Sequence, residues 1–289
     1  MNTQNTIPNF FNAPDTLTGM KENEAKTKTG LPVWKIIILG MMAGLFIAIG
    51  ASSSNLAVHA ISNPGVAKLV AGCIFPVGLM MIVVIGGELF TGDCMVVFGC
   101  YHKDISVLSL CKLLVIVWLS NMAGSLILAG LVYASGQYDM SSGLLGAYTI
   151  KVAMGKVSLS FGKALSSGIL CNIIVCIAVL FAGAAKDISG KLWGCFFPIM
   201  AFVVGGYEHC VANMYYIPAG MICLTNDTYR QVAMDTYGYT AEQLANLSLK
   251  GLFVNNLLPV TIGNMIGGMV FVALPLYLLH KNKLAKKDK

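Results

Sequence analysis

The stretch Gly205–Pro218, Gly-Gly-Tyr-Glu-His-Cys-Val-Ala-Asn-Met-Tyr-Tyr-Ile-Pro, follows an apolar run that predicts a membrane helix, Leu192–Val204. The two adjacent glycines loosen the helix, and Glu208 and His209 come soon after them. Ionisable residues at membrane depth are costly, so they face a cavity or a partner. Hydrophobic segments interrupted by glycine in corresponding positions of two halves are the best sequence indication of a transport site. The fold therefore depends on whether the chain holds a counterpart of this stretch.

Cys73–Asp93 is that counterpart. Both regions share a Cys, a Phe and a Pro followed by a Gly pair and a Glu. The first has Cys73, Phe75, Pro76, Gly86-Gly87 and Glu88; the second, which includes the preceding apolar run, has Cys195, Phe197, Pro198, Gly205-Gly206 and Glu208. A second repeated pattern supports this correspondence between the two halves, because Asn121-Met122-Ala123-Gly124 recurs as Asn264-Met265-Ile266-Gly267. The two repeated patterns occur in the same order in both halves of the chain, which indicates an internal duplication.

The composition excludes a soluble protein. The 289 residues are 56% hydrophobic and 11% charged, whereas soluble domains carry roughly 25% charged residues. Long apolar runs of this kind predict a polytopic membrane protein embedded in the lipid bilayer. The net charge of +6 does not indicate nucleic-acid binding, because the basic residues collect at predicted cytoplasmic ends. The nine Cys lie mostly within apolar runs and lack zinc-site spacing, so we expect neither a metal nor a cofactor.

The apolar runs predict six transmembrane helices, at about 33–58, 66–101, 105–134, 161–185, 192–224 and 252–280. The second is too long for one simple span of about 20 residues, and Pro76 and Gly86-Gly87 mark where we expect it to break. A repeat of three spans enters the membrane in opposite senses in its two copies. We therefore predict an all-α polytopic membrane protein with two inverted three-helix repeats around a midplane site, with helices 2 and 5 broken.

The distribution of Lys and Arg predicts the orientation. Thirteen of the nineteen basic residues lie near the termini and the turns on their side of the membrane, which makes both termini cytoplasmic. The predicted organisation is a cytoplasmic N-terminal segment, 1–31, a first repeat, 32–134, a Gly/Ser-rich connecting loop, 135–160, a second repeat, 161–280, and a cytoplasmic Lys-rich tail, 281–289.

Five residues at the predicted breaks are candidates for chemistry. His209 is the only His placed mid-span; it is either a hydrogen-bonded core residue or a functional donor of a hydrogen bond or a proton. Thr91 either bonds back to its own helix or holds a ligand or orients His209. We expect Glu208 and Glu88 to be structural carboxylates that accept backbone N–H groups freed at the breaks. Asp93 lies near the cytoplasmic end, where it could simply be solvated.

Other polar and aromatic residues have two interpretations each. Asn172 and Asn213 are mid-span amides that either bond between helices or line a pore. Lys156, on the outer side, either snorkels or attracts anions to a pore mouth. On composition alone, a further set of apolar side chains is more typical of a core than of a gate: Phe75, Phe90, Phe202, Leu79 and Leu89.

Three motifs carry a resemblance to a known family. Glu88-Leu89-Phe90-Thr91-Gly92, Glu208-His209-Cys210-Val211-Ala212-Asn213-Met214 and Leu258-Pro259-Val260-Thr261-Ile262-Gly263-Asn264 resemble signatures of the formate/nitrite transporter family, in the same order and across essentially the whole transmembrane region. The resemblance implies an aquaporin-like fold in a homopentamer with one pore per protomer, in the inner (cytoplasmic) membrane of the cell. Other members carry Ser or Asn near the Gly92-Asp93 pair of this chain, so the substrate branch stays open.

The resemblance also implies roles for the candidate residues. The family's central His matches His209, its loop Thr matches Thr91, and its vestibule Lys matches Lys156. Its pore Asn residues match Asn172 and Asn213. Its outer apolar constriction matches Phe75 and Phe202, and its inner one matches Leu79, Leu89 and Phe90.

The implied function is passive or proton-coupled transport of a small monovalent anion of a weak acid, with formate and protons as the expected partners. An anion pays a large penalty in a dry apolar constriction. If His209 donates a proton, or holds the anion while water does so, formate crosses as formic acid. Nitrite and hydrosulfide are alternatives of the same class. A neutral-solute channel is less favoured because paired Asn-Pro-Ala boxes are absent, and an enzyme is not expected because His-Glu-x-x-His and Gly-x-Ser-x-Gly motifs are absent.

Overall fold

The computed structural model describes residues 11–284, with side chains as far as His280. The predicted Lys-rich tail, 281–289, and the first ten residues of the predicted N-terminal segment therefore lie outside the described side chains. The described residues form helices and turns, with one isolated antiparallel bridge between Phe11 and Ala185. The helices are α1 (Pro14–Thr29), α2 (Val33–Val58), α3 (Pro64–Ile85), α4 (Phe90–Tyr101), α5 (Val107–Ala134), α6 (Leu144–Val157), α7 (Phe161–Ala184), α8 (Ile188–Gly205), α9 (Cys210–Leu224), α10 (Asp227–Tyr237), α11 (Ala241–Leu244) and α12 (Gly251–His280).

Six of these helices are long and apolar enough to cross a membrane: α2, α3, α5, α7, α8 and α12. The shorter apolar helices α4 and α9 continue α3 and α8 beyond an interruption. The predicted six-span, all-α architecture with two broken helices is therefore confirmed.

The first break lies at the glycine pair and not at the proline. The last residue of helix α3 is Ile85, and its C-cap is Gly86. Gly86 has a φ of 107°, which glycine adopts readily and other residues adopt only with strain. Leu89 is extended, and α4 begins at Phe90. At Pro76 the regular α-helix is interrupted only locally, between Ile74 and Val77, because Phe75 and Pro76 both keep helical angles. The lost hydrogen bond is tolerated through a tightened turn in which the Gly78 N–H donates to the Phe75 carbonyl at 3.1 Å.

The second break is built in the same way. Helix α8 ends at Gly205, and its C-cap residue, Gly206, has a left-handed backbone conformation with a φ of 70°. Helix α9 begins at Cys210, and the N-cap residue is His209 in an extended conformation. The two half-helices α4 and α9 therefore begin inside the protein, where the N–H groups of their first turns need partners.

Asn121 on α5 supplies partners at the first break. Its Nδ2 donates to the carbonyls of Gly40 and Glu88 at 2.8 and 2.9 Å, and its Oδ1 accepts from the Phe90 N–H at 3.0 Å. One fully buried amide thus satisfies both a carbonyl and an N–H that the interrupted helix has freed.

Asn264 on α12 does the same at the second break. Its Nδ2 donates to the carbonyls of Gly168 and Glu208 at 2.7 and 3.0 Å, and its Oδ1 accepts from the Cys210 N–H at 2.9 Å. The repeated Asn-Met-x-Gly sequence therefore corresponds to one structural role used twice, once in each half.

The glycine of each repeated sequence permits close helix packing. A Cβ on Gly124 would overlap the Met41 carbonyl of α2, and a Cβ on Gly267 would overlap the Ile169 carbonyl of α7. Helix α5 accordingly packs on α2, and α12 packs on α7, with backbones nearly in contact. Small residues at such crossings allow the van der Waals packing that holds membrane helices together.

The region 135–160, predicted as a connecting loop, contains ordered structure. A short 3₁₀ turn, Gln137–Asp139, is followed by helix α6. Tyr138 and Leu145 are buried there, and the Tyr138 hydroxyl lies 3.0 Å from that of Tyr215 on α9. The loop interpretation is wrong for this part, because packing against α9 overrides the Gly/Ser-rich composition. Helix α6 carries Lys156 in its last turn.

Candidate functional site

The two helix breaks meet at one hydrogen bond. His209 Nε2 lies 3.0 Å from Thr91 Oγ1. His209 is 3% exposed and Thr91 is fully buried. Of the two interpretations of Thr91, the structure shows the hydroxyl bonded to His209 across the two halves of the chain.

A second hydrogen bond fixes the position of the proton on His209. The Ala212 N–H donates to Nδ1 at 3.0 Å, so Nδ1 presents its lone pair. The proton of the neutral imidazole is therefore on Nε2 and is donated to Thr91 Oγ1. The hydroxyl hydrogen of Thr91 stays available for another acceptor. The Thr91 hydroxyl can thus donate a hydrogen bond to a ligand while its oxygen accepts the hydrogen bond from His209.

Aromatic rings close one side of the pair. The Phe202 ring stacks on the His209 ring with centroids 5.9 Å apart, and Phe75 meets Phe202 edge to face at 5.4 Å. Both Phe rings and His209 line a cavity of about 310 Å³, called here the His209 cavity. Its polar lining includes Lys68, Tyr148, Lys156, Asn213 and Tyr216.

A second cavity lies on the other side, beneath helix α1. It has a volume of about 490 Å³ and is called here the α1 cavity. Leu79 and Leu89 contribute to its lining, whereas Phe90 does not. The Phe90 side chain instead lines an apolar groove that also contains Trp118 of α5. The structure thus places Phe90 apart from the two Leu residues with which it was grouped.

Lys156 and Glu208 form an ion pair in the His209 cavity. Lys156 Nζ lies 3.0 Å from Glu208 Oε1, and the ammonium also lies 5.2 Å from the ring centroid of Tyr216. Glu208 Oε2 accepts from the side-chain amides of Asn213 and Asn256 at 2.6 and 3.0 Å. The expectation that Glu208 accepts backbone N–H groups is wrong, since Asn264 already satisfies the freed backbone.

The other two acids at the breaks also differ from expectation. Glu88 Oε2 lies 2.6 Å from the ammonium of Lys28 on α1, so its partner is a distant side chain and not the local backbone. Asp93, expected to be solvated, is 1% exposed, and its Oδ1 lies 2.5 Å from the same ammonium. Burial under α1 removes Asp93 from water.

The two pore-lining asparagine candidates take different positions. Asn172 is fully buried, and its Nδ2 donates to the carbonyls of Thr91 and Asn264 at 3.1 and 2.7 Å. It therefore follows the interhelical interpretation and holds the Thr91 backbone. Asn213 contributes to the His209 cavity and also bonds to Asn256 Oδ1 at 2.7 Å.

Four residues at the site escaped sequence analysis: Lys28, Asn121, Asn256 and Asn264. The repeated Asn-Met-x-Gly sequence marked two of them, Asn121 and Asn264, without revealing their role. Asn256 and Lys28 carry no local signal, because their partners lie 43 to 65 residues away. Within the described residues, no group of three or more His, Cys, Asp or Glu is placed to hold a metal ion.

Comparison with known proteins decides the family. The sequence profile of the formate/nitrite transporter family matches residues 16–278. The chain belongs to this family. It is 37% identical over 267 residues to a probable formate transporter of Methanothermobacter thermautotrophicus, a match that covers 86% of this chain and 90% of the relative. It is 33% identical over 264 residues to the formate channel FocA of Haemophilus influenzae, covering 90% and 91% of the two chains.

Solved structures agree with this membership of the formate/nitrite transporter family. A pentameric formate channel with formate bound superposes with a TM-score of 0.76 at 31% identity, covering 86% of this chain and 98% of the other. An ion channel of the same family gives a TM-score of 0.77 at 25% identity, covering 91% and 98%. An aquaglyceroporin from Plasmodium falciparum, at 13% identity, gives a TM-score of 0.51 and covers 86% and 100%. That weaker likeness concerns the fold alone, and the family consists of transporters and not of enzymes.

Proposed function

We propose that the chain is a channel for small monovalent anions of weak acids, with formate as its main substrate. The observation that carries the proposal is the buried Thr91–His209 hydrogen bond. Phe75 and Phe202 line the His209 cavity, and Leu79 and Leu89 line the α1 cavity. A donor pair between two apolar layers suits a solute that is charged in water and neutral in transit. The formate transporter of Methanothermobacter and FocA of Haemophilus support formate as the substrate.

Attraction of the anion to the His209 cavity begins with an unpaired cation. Lys156 is neutralised by Glu208, so its net field at the mouth is small. Lys68 lines the same cavity and forms no ion pair with a described residue. In this proposal Lys68 supplies the attraction, and the paired Lys156 contributes a local donor that does not bind the anion tightly. Weak binding is required, because a permeant ion has to leave as readily as it arrives.

Passage requires that the anion lose its charge. A carboxylate in a dry constriction pays a large desolvation penalty, and the free hydroxyl hydrogen of Thr91 offsets only part of it. Because the single polar hydrogen of neutral His209 is already donated to Thr91, the arrangement favours the role in which His209 holds the site while water supplies the proton. Formate then crosses as formic acid and ionises again beyond the constriction.

Orientation and assembly are also proposals. Both termini are placed in the cytoplasm of an inner-membrane protein, supported by the thirteen of nineteen basic residues near that side. The His209 cavity then opens outward and the α1 cavity inward. A homopentamer with one pore per protomer is supported by the pentameric formate channel of similar fold. The exposed apolar groove beside Trp118 suits contact with a neighbouring subunit or lipid.

Stopped-flow uptake into proteoliposomes under a pH gradient tests the proposal, with formate, nitrite and hydrosulfide compared. Thr91→Val should slow formate flux about tenfold, the kinetic equivalent of one hydrogen bond of about 1.4 kcal/mol to a charged group. Thr149→Val is the matched control, because the buried Thr149 hydroxyl bonds back to Leu145 of its own helix at 2.9 Å.

His209→Asn should fold and keep the pH dependence of flux, since Asn still donates a hydrogen bond and water supplies the proton; loss of the pH dependence would show that His209 itself donates the proton. Parent-like rates of formate flux in both the His209 and the Thr91 variants would defeat the mechanism and leave the transporter intact. Absence of flux for all three anions in the parent would defeat the transport proposal itself.

A further inference from the structure

One buried amide of the His209 cavity has no hydrogen-bond partner. Asn55, near the end of helix α2, is 7% exposed and contributes to the lining of that cavity. Its Nδ2 atom is buried and donates to no described residue, and no described residue donates to its Oδ1. An unpaired polar group is costly inside a protein, and a native structure holds few of them. Asn55 therefore calls for a ligand that accepts a hydrogen bond.

The other polar groups beside Asn55 are already paired. Ser54 Oγ donates its only hydrogen to the Ala51 carbonyl at 3.0 Å. The Tyr216 hydroxyl, 3.4 Å from Ser54 Oγ, is therefore the donor of the hydrogen bond between them. Of the buried, unpartnered side-chain atoms of the described chain that belong to this cavity, Asn213 Oδ1 is an acceptor and Asn55 Nδ2 is a donor. Only the donor suits an anion.

A cation without an acidic partner lines the same cavity. Lys68 of α3 is exposed there and forms no ion pair with a described residue. Its Nζ lies beside Gly206 at the second helix break, 3.7 Å from the position that a Cβ on this glycine would occupy. The cavity thus combines a charge that acts over a distance with an amide that acts only in contact.

The Asn55 amide can turn its N–H groups toward the cavity. Nδ2 itself is enclosed, but no hydrogen bond holds either end of the amide. The terminal torsion of Asn is broad and nearly two-fold, so a rotation about χ2 exchanges Nδ2 with Oδ1 without a large barrier. Phe75 and Phe202 also line this cavity, and the low dielectric beside such rings strengthens a hydrogen bond to an anion.

We propose that Asn55 and Lys68 form a binding subsite for small oxyanions in the His209 cavity, and that Asn55 sets a preference for oxyanions over hydrosulfide. Its effect on flux rests on the proposed function. Formate and nitrite each have two oxygen atoms, so one oxygen accepts from Asn55 while the charge of the anion is balanced by Lys68. Hydrosulfide has a single sulfur atom, and sulfur is a weak acceptor. Within the class of weak-acid anions, the subsite favours formate and nitrite.

Asn55→Leu tests the amide, because Leu has a similar size and no donor. The half-saturation concentration for formate in stopped-flow uptake should rise about tenfold, as expected for one hydrogen bond to a charged acceptor. The value for hydrosulfide should stay within about twofold of the parent. Asn246→Leu is the matched control, since Asn246 is exposed and lies outside the cavity lining.

The stability of the same variant separates a ligand-binding role from a structural one. Asn55→Leu removes a buried donor that has no partner in the described chain, so its unfolding temperature in detergent should equal or exceed that of the parent. A lower unfolding temperature together with a parent-like half-saturation concentration would show that Asn55 is structural, which would overturn the proposal.

Two further variants test the charge. Asn55→Asp keeps the shape of the side chain and adds a negative charge, so it should weaken formate uptake more than Asn55→Leu does. Lys68→Met should raise the half-saturation concentrations of formate and hydrosulfide alike, and less so at high ionic strength, because a screened charge does not distinguish the two anions. Lys163→Met, outside the cavity lining, should behave as the parent.

Equilibrium binding to the full chain in lipid nanodiscs separates the subsite from transport. Broadening of the ¹³C-formate resonance should show binding to the parent and about tenfold weaker binding to Asn55→Leu. At a pH at which hydrosulfide is ionised, the parent should bind formate and nitrite more tightly than hydrosulfide, and equal binding would overturn the proposal.

The outcomes for the subsite and for transport are distinct. Formate flux with parent-like half-saturation and binding in both Asn55 variants would overturn the subsite and leave the channel intact. Binding of formate that depends on Asn55, without flux of any anion through the parent, would overturn the proposed function and leave the subsite in place. An equal rise in half-saturation for formate and hydrosulfide in Asn55→Leu would overturn the preference for oxyanions.

Discussion

Replacing Lys156 by Met separates an anion-attracting role from a structural one. The ammonium lies 3.0 Å from Glu208 Oε1, with side-chain exposures of 15% for Lys156 and 6% for Glu208. Met fills a similar volume and cannot pair. Glu208 then keeps only the amides of Asn213 and Asn256 as donors, and its charge stays uncompensated at the second helix break.

The structure sets the size of the effect. Removing one partner of a buried ion pair costs about 3–5 kcal/mol. Because the two amide donors remain, we expect about 3 kcal/mol for Lys156→Met, at the lower end of that range. Glu208→Gln should cost about 2 kcal/mol, because Lys156 is more exposed and can gain water. The double variant removes both charges and should recover at least about 2 kcal/mol relative to the sum of the single changes.

Unfolding in mixed detergent, followed by the helical circular dichroism signal, gives the free energies for this cycle. Lys163→Met is the control, since Lys163 forms no ion pair with a described residue, and its change should stay within about 0.5 kcal/mol. Formate flux is measured on the same samples at low and high ionic strength. Additive free energies within about 0.5 kcal/mol would refute the pairing argument. A parent-like stability of Lys156→Met, together with slower flux only at low salt, would show that Lys156 acts by attracting anions.

Four further outcomes are expected. Asn264→Ala and Asn121→Ala should each lower the free energy of unfolding by about 2–4 kcal/mol, because each leaves a buried N–H and buried carbonyls unpaired; equal stability of variant and parent in detergent unfolding would contradict this. Gly124→Ala should lower the yield of folded protein in size-exclusion chromatography, since its Cβ would overlap the Met41 carbonyl, whereas Gly130→Ala has open space and should behave as the parent. Cysteines placed at residues 5 and 285 of a Cys-depleted chain should be inaccessible to labelling from outside intact cells, and external labelling of either would refute the orientation. Burial would raise the pKa of Glu24, but the ammonium groups of Lys28 and Lys21 outweigh burial and lower this pKa from 4.5 to about 2. Because the pKa is depressed in the folded state, the stabilisation is present above pH 4.5 and is lost as the pH falls toward 2. Slow hydrogen exchange in α1 should therefore persist at mildly acidic pH and speed up only in strong acid.

Several features of the chain could be predicted from local sequence. The six spans follow from the length of the apolar runs, and the two breaks follow from Gly86-Gly87 and Gly205-Gly206, because each property depends on residues that are neighbours in the chain. His209 and Thr91 were identifiable as candidates for the same reason, since each lies beside a break. Pro76 produces only a local interruption of the helix, because one missing N–H is tolerated by a tightened turn.

The pairing of charges could not be predicted in this way. Glu88 and Glu208 were correctly located at the breaks and Asp93 was expected near the cytoplasmic end, but the expected surroundings of all three were wrong. The partner of Glu208 comes from α6, in a region that was expected to be a loop. The partner of Glu88 and Asp93 comes from α1, before the first span. A long Lys side chain reaches whichever acid the packing brings near, and the composition offers nineteen basic residues to choose from.

The sequence by itself therefore determined the membrane class, the number of spans, the internal duplication and the family. The tertiary structure alone decided which side chains meet: Thr91 with His209 across 118 residues, Lys28 with Asp93 across 65, and Lys156 with Glu208 across 52. The physical reason is the sequence distance over which each interaction acts. Apolar run length and glycine pairs act on the local backbone, whereas ion pairs and hydrogen bonds between side chains depend on how the packed helices bring distant residues together.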